Sequence, residues 1–261
     1  MEINQLLKST RQYFWEKDFE EVDIPYLNSA LPLEPNIYSF STIWMHSQAK
    51  FYLPTSPEMA LKKHLADTKK DCFAISHCFR DLESEGPHHT KEFLMLEWYE
   101  IGKTYLDLMN STEKYINYLY GTVLNRSLLK FETLNLPDHL PDNEPDFNQF
   151  FLNNIEPTLP RNGGVFITGY PAFLSPLAVP NQRFELYING IEIANGCTEN
   201  RNSEQIKAAF DTENQYRLKN HLPTHPISQD FIENCSRLPP CSGVGLGLDR
   251  LLMLLNLKSH L

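Results

Sequence analysis

The 261-residue sequence contains no C-x-x-C pair. Its five cysteines, Cys72, Cys78, Cys197, Cys235 and Cys241, are odd in number and scattered. That argues against a zinc site or a paired disulfide framework and fits reduced thiols. No apolar run is long enough to span a membrane, and the opening MEINQLLKSTRQYFWEKDF has no secretory apolar core. A soluble, cytoplasmic protein is expected. A surplus of cations is missing too: the net charge of -10 speaks against a broad basic nucleic-acid surface, though not against a local basic groove. There are no internal repeats. What is present is an apolar fraction of 41%, with 12% aromatics, which suits a packed core. The length fits one large domain or two small ones.

Residues 3–19 read as an amphipathic helix, with Ile3, Leu6, Leu7, Tyr13 and Phe14 among its apolar positions. EEVDIPYLNS follows as a short extended segment with a proline turn, then FYLPTSPEMALKKHLA as a strand running into a helix. CFAISHCFRD and EFLMLEWYEIG are two more strands across a polar loop. Residues 105–124 have helical spacing in Leu106, Met109, Ile116, Leu119 and Val123. LPDHLPDNEPD, rich in proline and acid, predicts a surface loop. A strand near GVFITGY, an apolar hairpin, a polar helix around 203–220, and the glycine-rich CSGVGLGLDRLLMLLN, a strand entering a helix, complete the chain. Strands joined by hairpins and long loops, with helices grouped between them, predict an α+β fold. Its antiparallel β-sheet would be flanked by helices rather than doubly wound.

The hairpin RFELYINGIEIANG carries the clearest chemical pattern. Asn189-Gly190 between alternating apolar residues predicts a type I′ turn, which needs positive φ at both central positions. A two-residue loop pairs Ile188 with Ile191, Tyr187 with Glu192 and Leu186 with Ile193. Phe184, Leu186, Ile188, Ile191 and Ile193 then share one face, and Glu185, Tyr187 and Glu192 the other. The two carboxylates become diagonal neighbours, roughly 7–8 Å apart at the backbone. That spacing suits two acids converging on a cation, and equally a solvated polar face. Strict alternation turns Asn195 toward the apolar side, so a bulge or strand end at Asn195-Gly196 is needed to bring it to the acids.

Three other stretches carry chemistry. In FRDLESEGPHHTKEF, Arg80 ends a strand, a loop holds Glu83, Glu85, His88 and His89, and Phe93 opens the return. A guanidinium there suits a phosphate or carboxylate, and Phe93 offers a flat face to a purine. A polar hairpin loop with a surface arginine reads the same way. In GVGLGLDR, glycines at 243, 245 and 247 leave room beside the strand, and Arg250 in the first helical turn needs an anionic partner against the helix dipole. The spacing does not match G-x-G-x-x-G, and no βαβ unit follows. In TSPE, Thr55 and Glu58 score as a capping box, a structural alternative to a ligand role for Glu58.

In this order, FEEVDIPYL, TSPE, FRD.E with H..EF..LEWY, RFELYINGIEIANG....E, LPTHPI and GVGLGLDR resemble the class II aminoacyl-tRNA synthetases. The likeness is to motifs 1, 2 and 3 of the lysyl branch and runs from about Phe14 to Leu255. Within that branch it is greatest to the protein-modifying paralogues that attach lysine or β-lysine to a lysine of elongation factor P. No oligonucleotide-binding barrel precedes the motif 1-like stretch. The expectation is one catalytic domain over 1–261, without an anticodon-binding domain, and tRNA is not the expected partner.

The resemblance implies ATP and Mg²⁺ as cofactors, with Glu185 and Glu192 holding the metal. It implies that Arg80 clamps the α-phosphate and the substrate carboxylate. Glu83, His89 and Phe93 would hold the nucleotide, and Arg250 would meet the γ-phosphate, so that Arg80 and Arg250 are the catalytic pair. Glu58 would take the α-amino group, while Glu97, Tyr99, Asn195 and Glu199 would surround the lysyl side chain, with Gly245 beside it. It also implies a homodimer paired through motif 1. Cys197 stands where Phe is usual, and Gly245 where some protein-modifying relatives carry Ala. Two alternatives stay open: an adenylate-forming ligase that loads a carrier protein or tRNA, and a catalytically silent nucleotide- or amino-acid-binding paralogue.

Overall fold

A computed structural model describes residues 1–82, 90–224 and 226–257. In chain order the elements are α1 (Ile3–Trp15), β1 (Glu20–Glu21), β2 (Ser41–Trp44), β3 (Ala49–Tyr52), α2 (Glu58–Thr68), β4 (Cys72–Phe79), β5 (Glu92–Ile101) and α3 (Tyr105–Tyr118). They continue with β6 (Phe131–Asn135), α4 (Glu144–Phe150), β7 (Gly164–Thr168), β8 (Ala178–Ile188), β9 (Ile191–Glu199), α5 (Ser203–Lys219), α6 (Gln229–Arg237), β10 (Cys241–Gly247) and α7 (Leu248–Asn256). Eight strands form one sheet in the order β1-β4-β5-β10-β9-β8-β7-β6, and β2 pairs only with β3. The central pairings are antiparallel, as the hairpin-rich sequence predicts, while the two edge pairings, β1 with β4 and β6 with β7, run parallel. The fold is α+β. Among the described residues no helix is long and apolar enough to cross a membrane.

Alternation divides the sheet into two faces. Leu96, Trp98, Val244, Leu246, Phe184, Leu186 and Ile188 pack into the main core with side chains of α1, α3 and α7. The residues between them, Glu97, Tyr99, Gly243, Gly245, Glu185 and Tyr187, line the opposite face, because successive side chains leave a strand on alternate sides. Asn189 and Gly190 have φ of 53° and 78°, the two positive values that the type I′ turn requires. Ile188 faces Ile191 and Tyr187 faces Glu192, as the two-residue loop dictates. Beyond them the register shifts: Leu186 faces Ala194, not Ile193. Ile193 is the extra residue of a β-bulge, and both it and Ala194 are buried.

Three local expectations change. Helix α1 ends at Trp15 rather than at residue 19, because Asp18 adopts φ 64° and Phe19 N–H turns back to the Phe14 carbonyl at 3.1 Å. The last residues of LPDHLPDNEPD are not loop but the first turn of α4, capped by the Asn143 side chain, which accepts from Asp146 N–H at 3.1 Å. The capping box at Thr55 does not form: Pro57 is the residue before α2, no side chain caps the helix, and the Thr55 hydroxyl donates to Glu34 instead. Glu58 is therefore left to other partners.

Candidate active site

Strand pairing sets four site residues in one line across the sheet. Glu97 on β5 faces Gly245 on β10, Gly245 faces Asn195 on β9, and Asn195 faces Glu185 on β8. The line crosses three strand spacings, roughly 14 Å. The bulge at Ile193 makes it possible, for it advances β9 by one residue and turns Asn195 to the acid face. The shift comes two residues before the Asn195-Gly196 position expected from the sequence. A neighbouring row on the same face runs Tyr99, Gly243, Cys197, Arg183. All lie along one cavity of about 770 Å³.

One end of the cavity is acidic and closed. Glu97 and Glu199 are buried, and Glu58 of α2 joins them on the wall. Burial, reinforced by the nearby Glu58 charge, pushes the Glu97 carboxyl well above the usual range, although the Tyr99 hydroxyl donates to it at 2.7 Å. Between Glu58 and Glu199 stands Lys62, its side chain wholly buried, with Nζ 2.5 Å from Glu58 Oε1 and 2.6 Å from Glu199 Oε2. Burial alone would lower the Lys62 pKa, but the Glu199 and Glu58 charges outweigh it and hold the ammonium well above its ordinary value. Cys197 donates to Glu199 Oε1 at 3.7 Å, and burial and that carboxylate push its thiol far up. It is a packing residue rather than a nucleophile.

Gly243 and Gly245 differ. A Cβ on Gly243 would sit 2.3 Å from Tyr99 Cε1, so the room expected beside this glycine is filled by the tyrosine ring. A Cβ on Gly245 would meet Met95 Sδ at 3.5 Å, and Met95 Cε and Glu97 Oε2 at 3.9 Å, ordinary contacts. The space there belongs to the cavity.

Arg80 stands at the middle, one residue past β4. Its guanidinium lies over the Phe93 ring, 5.1 Å from the centroid, and 3.7 Å from Glu34 Oε1. Arginine thus stacks on the face expected to receive a purine. Arg80 Nε, Ser56 Oγ and Glu199 Oε2 are buried and have no hydrogen-bond partner among the described residues, Glu199 Oε2 meeting Lys62 as an ion pair. An unpaired guanidinium N–H on a cavity wall fits an anionic group such as a carboxylate or phosphate. Glu34 is itself pushed above the usual carboxylate range by burial, against the pull of Arg80.

The far end is more open. Glu185 is braced by Arg183 at 2.5 Å, Tyr170 at 2.6 Å and Tyr187 at 3.1 Å. Arg183 also donates to Asn195 Oδ1 at 3.1 Å and to the Leu174 carbonyl and Ser175 Oγ at 3.0 Å. Partial desolvation and the neighbouring Glu185 charge raise the carboxyl of the half-exposed Glu192, as like charges on one wall must. Arg250, third residue of α7, has the anionic partner its place demands: it donates to the Glu192 carbonyl at 3.0 Å and lies 3.5 Å from Glu192 Oε2. Among the described residues no group of three or more His, Cys, Asp or Glu is placed to hold a metal ion. The donor set is two carboxylates, and that fits Mg²⁺, which is bound through one or two carboxylates completed by water and substrate phosphates.

Of the residues expected from the sequence, Glu58, Arg80, Phe93, Glu97, Tyr99, Glu185, Glu192, Asn195, Glu199, Gly245 and Arg250 all line this cavity. Glu83 and His89 lie outside the described residues. Sequence reasoning missed Glu34, Lys62 and Arg183. Arg183 was within reach, since period-two alternation places it with Glu185 and Tyr187.

Residues 3–260 match the family described as tRNA synthetases class II (D, K and N). The chain belongs to that family and is an enzyme of the ligase type. It is similar to the elongation factor P–(R)-β-lysine ligase of Buchnera aphidicola subsp. Acyrthosiphon pisum (strain APS), at 32% identity across 98% of this chain and 91% of the relative. Proteins of the same description from Pseudoalteromonas translucida and Hamiltonella defensa are 31% and 29% identical. They cover 98% and 95% of this chain, and 90% and 88% of their own length is matched.

Proposed function

We propose that the protein activates lysine or β-lysine with ATP as an aminoacyl-adenylate and transfers it to a lysine side chain of elongation factor P. The observation that carries this reading is the crosswise line from Glu97 to Glu185, which joins an acidic pocket to an arginine- and glutamate-lined end within one cavity. At the closed end, four carboxylates (Glu34, Glu58, Glu97, Glu199) face two cations, Lys62 and Arg80. The excess of carboxyl groups over cations suits the ammonium groups of lysine or its β-isomer, because a bound cation offsets the cost of ionising a buried carboxyl such as Glu97.

Glu58 takes the ammonium beside the carboxylate, and Glu97, Tyr99, Asn195 and Glu199 surround the other. Arg80 holds the substrate carboxylate against the α-phosphate through its unpaired edge. The carboxylate oxygen attacks the α-phosphorus in line and pyrophosphate leaves; the acceptor amine then attacks the carbonyl carbon of the mixed anhydride and AMP leaves. A carboxylate needs no general base, so catalysis rests on positioning and charge neutralisation. Glu185 and Glu192 would hold Mg²⁺, which supplies charge neutralisation on the phosphates. Arg250 meets the γ-phosphate, and Phe93, Glu83 and His89 contact the nucleotide.

Residues 1–261 act as one catalytic domain in the cytoplasm, paired with a second copy through the motif 1-like stretch and independent of tRNA. ATP–pyrophosphate exchange with each amino acid tests the first step. Exchange with α- or β-lysine alone supports it, and no exchange by folded protein refutes it. A mass increase of elongation factor P by one lysyl unit tests the second, and a monomer by light scattering at micromolar concentration would refute the pairing.

A further inference from the structure

Lys62 has no part in the reaction just described, yet it touches two of the residues that part requires. It lies one helical turn after Glu58 on α2, so an ordinary reading is an exposed i, i+4 ion pair. The side chain is instead fully enclosed among α2, β9 and α6, with the Phe231 ring 5.6 Å from Nζ. Glu58 and Glu199 each give it one oxygen. Glu58 also lines the cavity.

We infer that Lys62 is a positioning residue, a built-in ammonium that converges the Glu58 and Glu199 carboxylates and fixes where the cavity accepts the substrate's own ammonium groups. It acts through the two acids, not by touching the reacting atoms. Its charge also offsets part of the excess of carboxyl groups over cations at this end of the cavity. The inference rests on reading this end as an amino-acid pocket.

Substitution Lys62→Met keeps the length and volume of the side chain and removes the charge. In pyrophosphate exchange it should raise the KM for the amino acid tenfold or more while leaving the KM for ATP within twofold, a split that general damage to the fold would not produce. An unchanged amino-acid KM, or a parallel rise in both, overturns the inference. Wild-type protein is assayed alongside: if it exchanges with no amino acid, the functional reading itself fails, whereas a failure confined to the variant comparison touches only Lys62.

Removal of one partner from a buried ion pair can unfold a protein. A second measurement therefore uses the wild type, labelled with ¹⁵N-lysine. Lys62 is the buried lysine among the described residues, so its ammonium should give a slowly exchanging NMR signal. The expected result is a signal that moves on addition of lysine or β-lysine and stays in place on addition of ATP alone. A signal indifferent to the amino acid would sink the inference.

Discussion

The two ends of the cavity handle charge in opposite ways. At the β5–β10 end, Glu199 and Lys62 side chains are 3% and 0% exposed and the protein neutralises its own acids from within. At the β8–β9 end, Glu192 and Arg250 are 39% and 27% exposed and meet only at 3.5 Å. A buried pair must be compensated and hydrogen-bonded to be tolerated at all, whereas a half-open pair is loosely held and can exchange partners. The closed end is built to discriminate between small cations. The open end is built to gather and release a highly charged, hydrated group.

The sharpest way to break this contrast is at the middle and the open end. Arg80→Ala or Glu185→Gln should lower kcat for pyrophosphate exchange by about 10²–10³, as loss of a charge-stabilising group does. Full activity in either variant would remove the assignment of that end. Next in size, Glu97→Gln should raise the amino-acid KM by about 10–100-fold, the worth of a hydrogen bond to a charged group, with the ATP KM hardly changed.

A smaller effect separates the two glycines that flank Val244 in β10. Gly243→Ala drives a methyl into the Tyr99 ring and should cost about 1–3 kcal/mol, seen as a fall of roughly 3–10 °C in the thermal midpoint. Gly245→Ala has room for its methyl and should keep the midpoint while narrowing the amino-acid pocket, read as an altered KM ratio between α- and β-lysine. Equal midpoints for the two variants would show that Tyr99 yields.

The smallest effect concerns pH. Glu97 holds its proton more tightly in the folded than in the unfolded chain, because burial and Glu58 raise its pKa above 4.5. As pH climbs from that ordinary value through the raised native one, the unfolded state binds fewer protons and the ligand-free protein loses stability. Glu97→Gln should flatten this decline in denaturant titrations above the ordinary glutamate pKa of about 4.3. A steeper decline in the variant would mean that Glu97 is stabilised as the anion.

Much of this geometry was legible in the amino-acid sequence, and the reasons differ by residue. The Asn189-Gly190 turn and the two nearest strand pairs are local, set by backbone conformation that only a few residues adopt. The acids of the hairpin followed from period two alone. The bulge was not readable in position, for Ile193 and Ala194 are both apolar and either register buries something. Thr55 failed as a cap because Glu34, twenty-one residues earlier, takes its hydroxyl. Lys62 and Arg217 look like surface helix charges. Arg217 is in fact wholly buried, paired with Glu213 at 2.6 Å and donating to the Glu34 and Ile37 carbonyls at 3.1 Å. No periodicity encodes contacts that depend on tertiary packing.

The bulge in β9 has a consequence for how this sequence tolerates change. Before Ile193 the cavity-facing positions of the strand are even-numbered, as at Glu192; after it they are odd, as at Asn195, Cys197 and Glu199. The strand changes parity in mid-course, and that single change lets one continuous segment serve both ends of the cavity. Inserting one residue between Glu192 and Asn195, with the bulge otherwise unchanged, would send all three downstream side chains into the apolar core at once, whereas deleting Ile193 would leave a regular strand with them still on the cavity face. No substitution elsewhere in the strand could restore them, whereas a compensating one-residue deletion before Asn195 could. At this place the number of residues matters more than their identity.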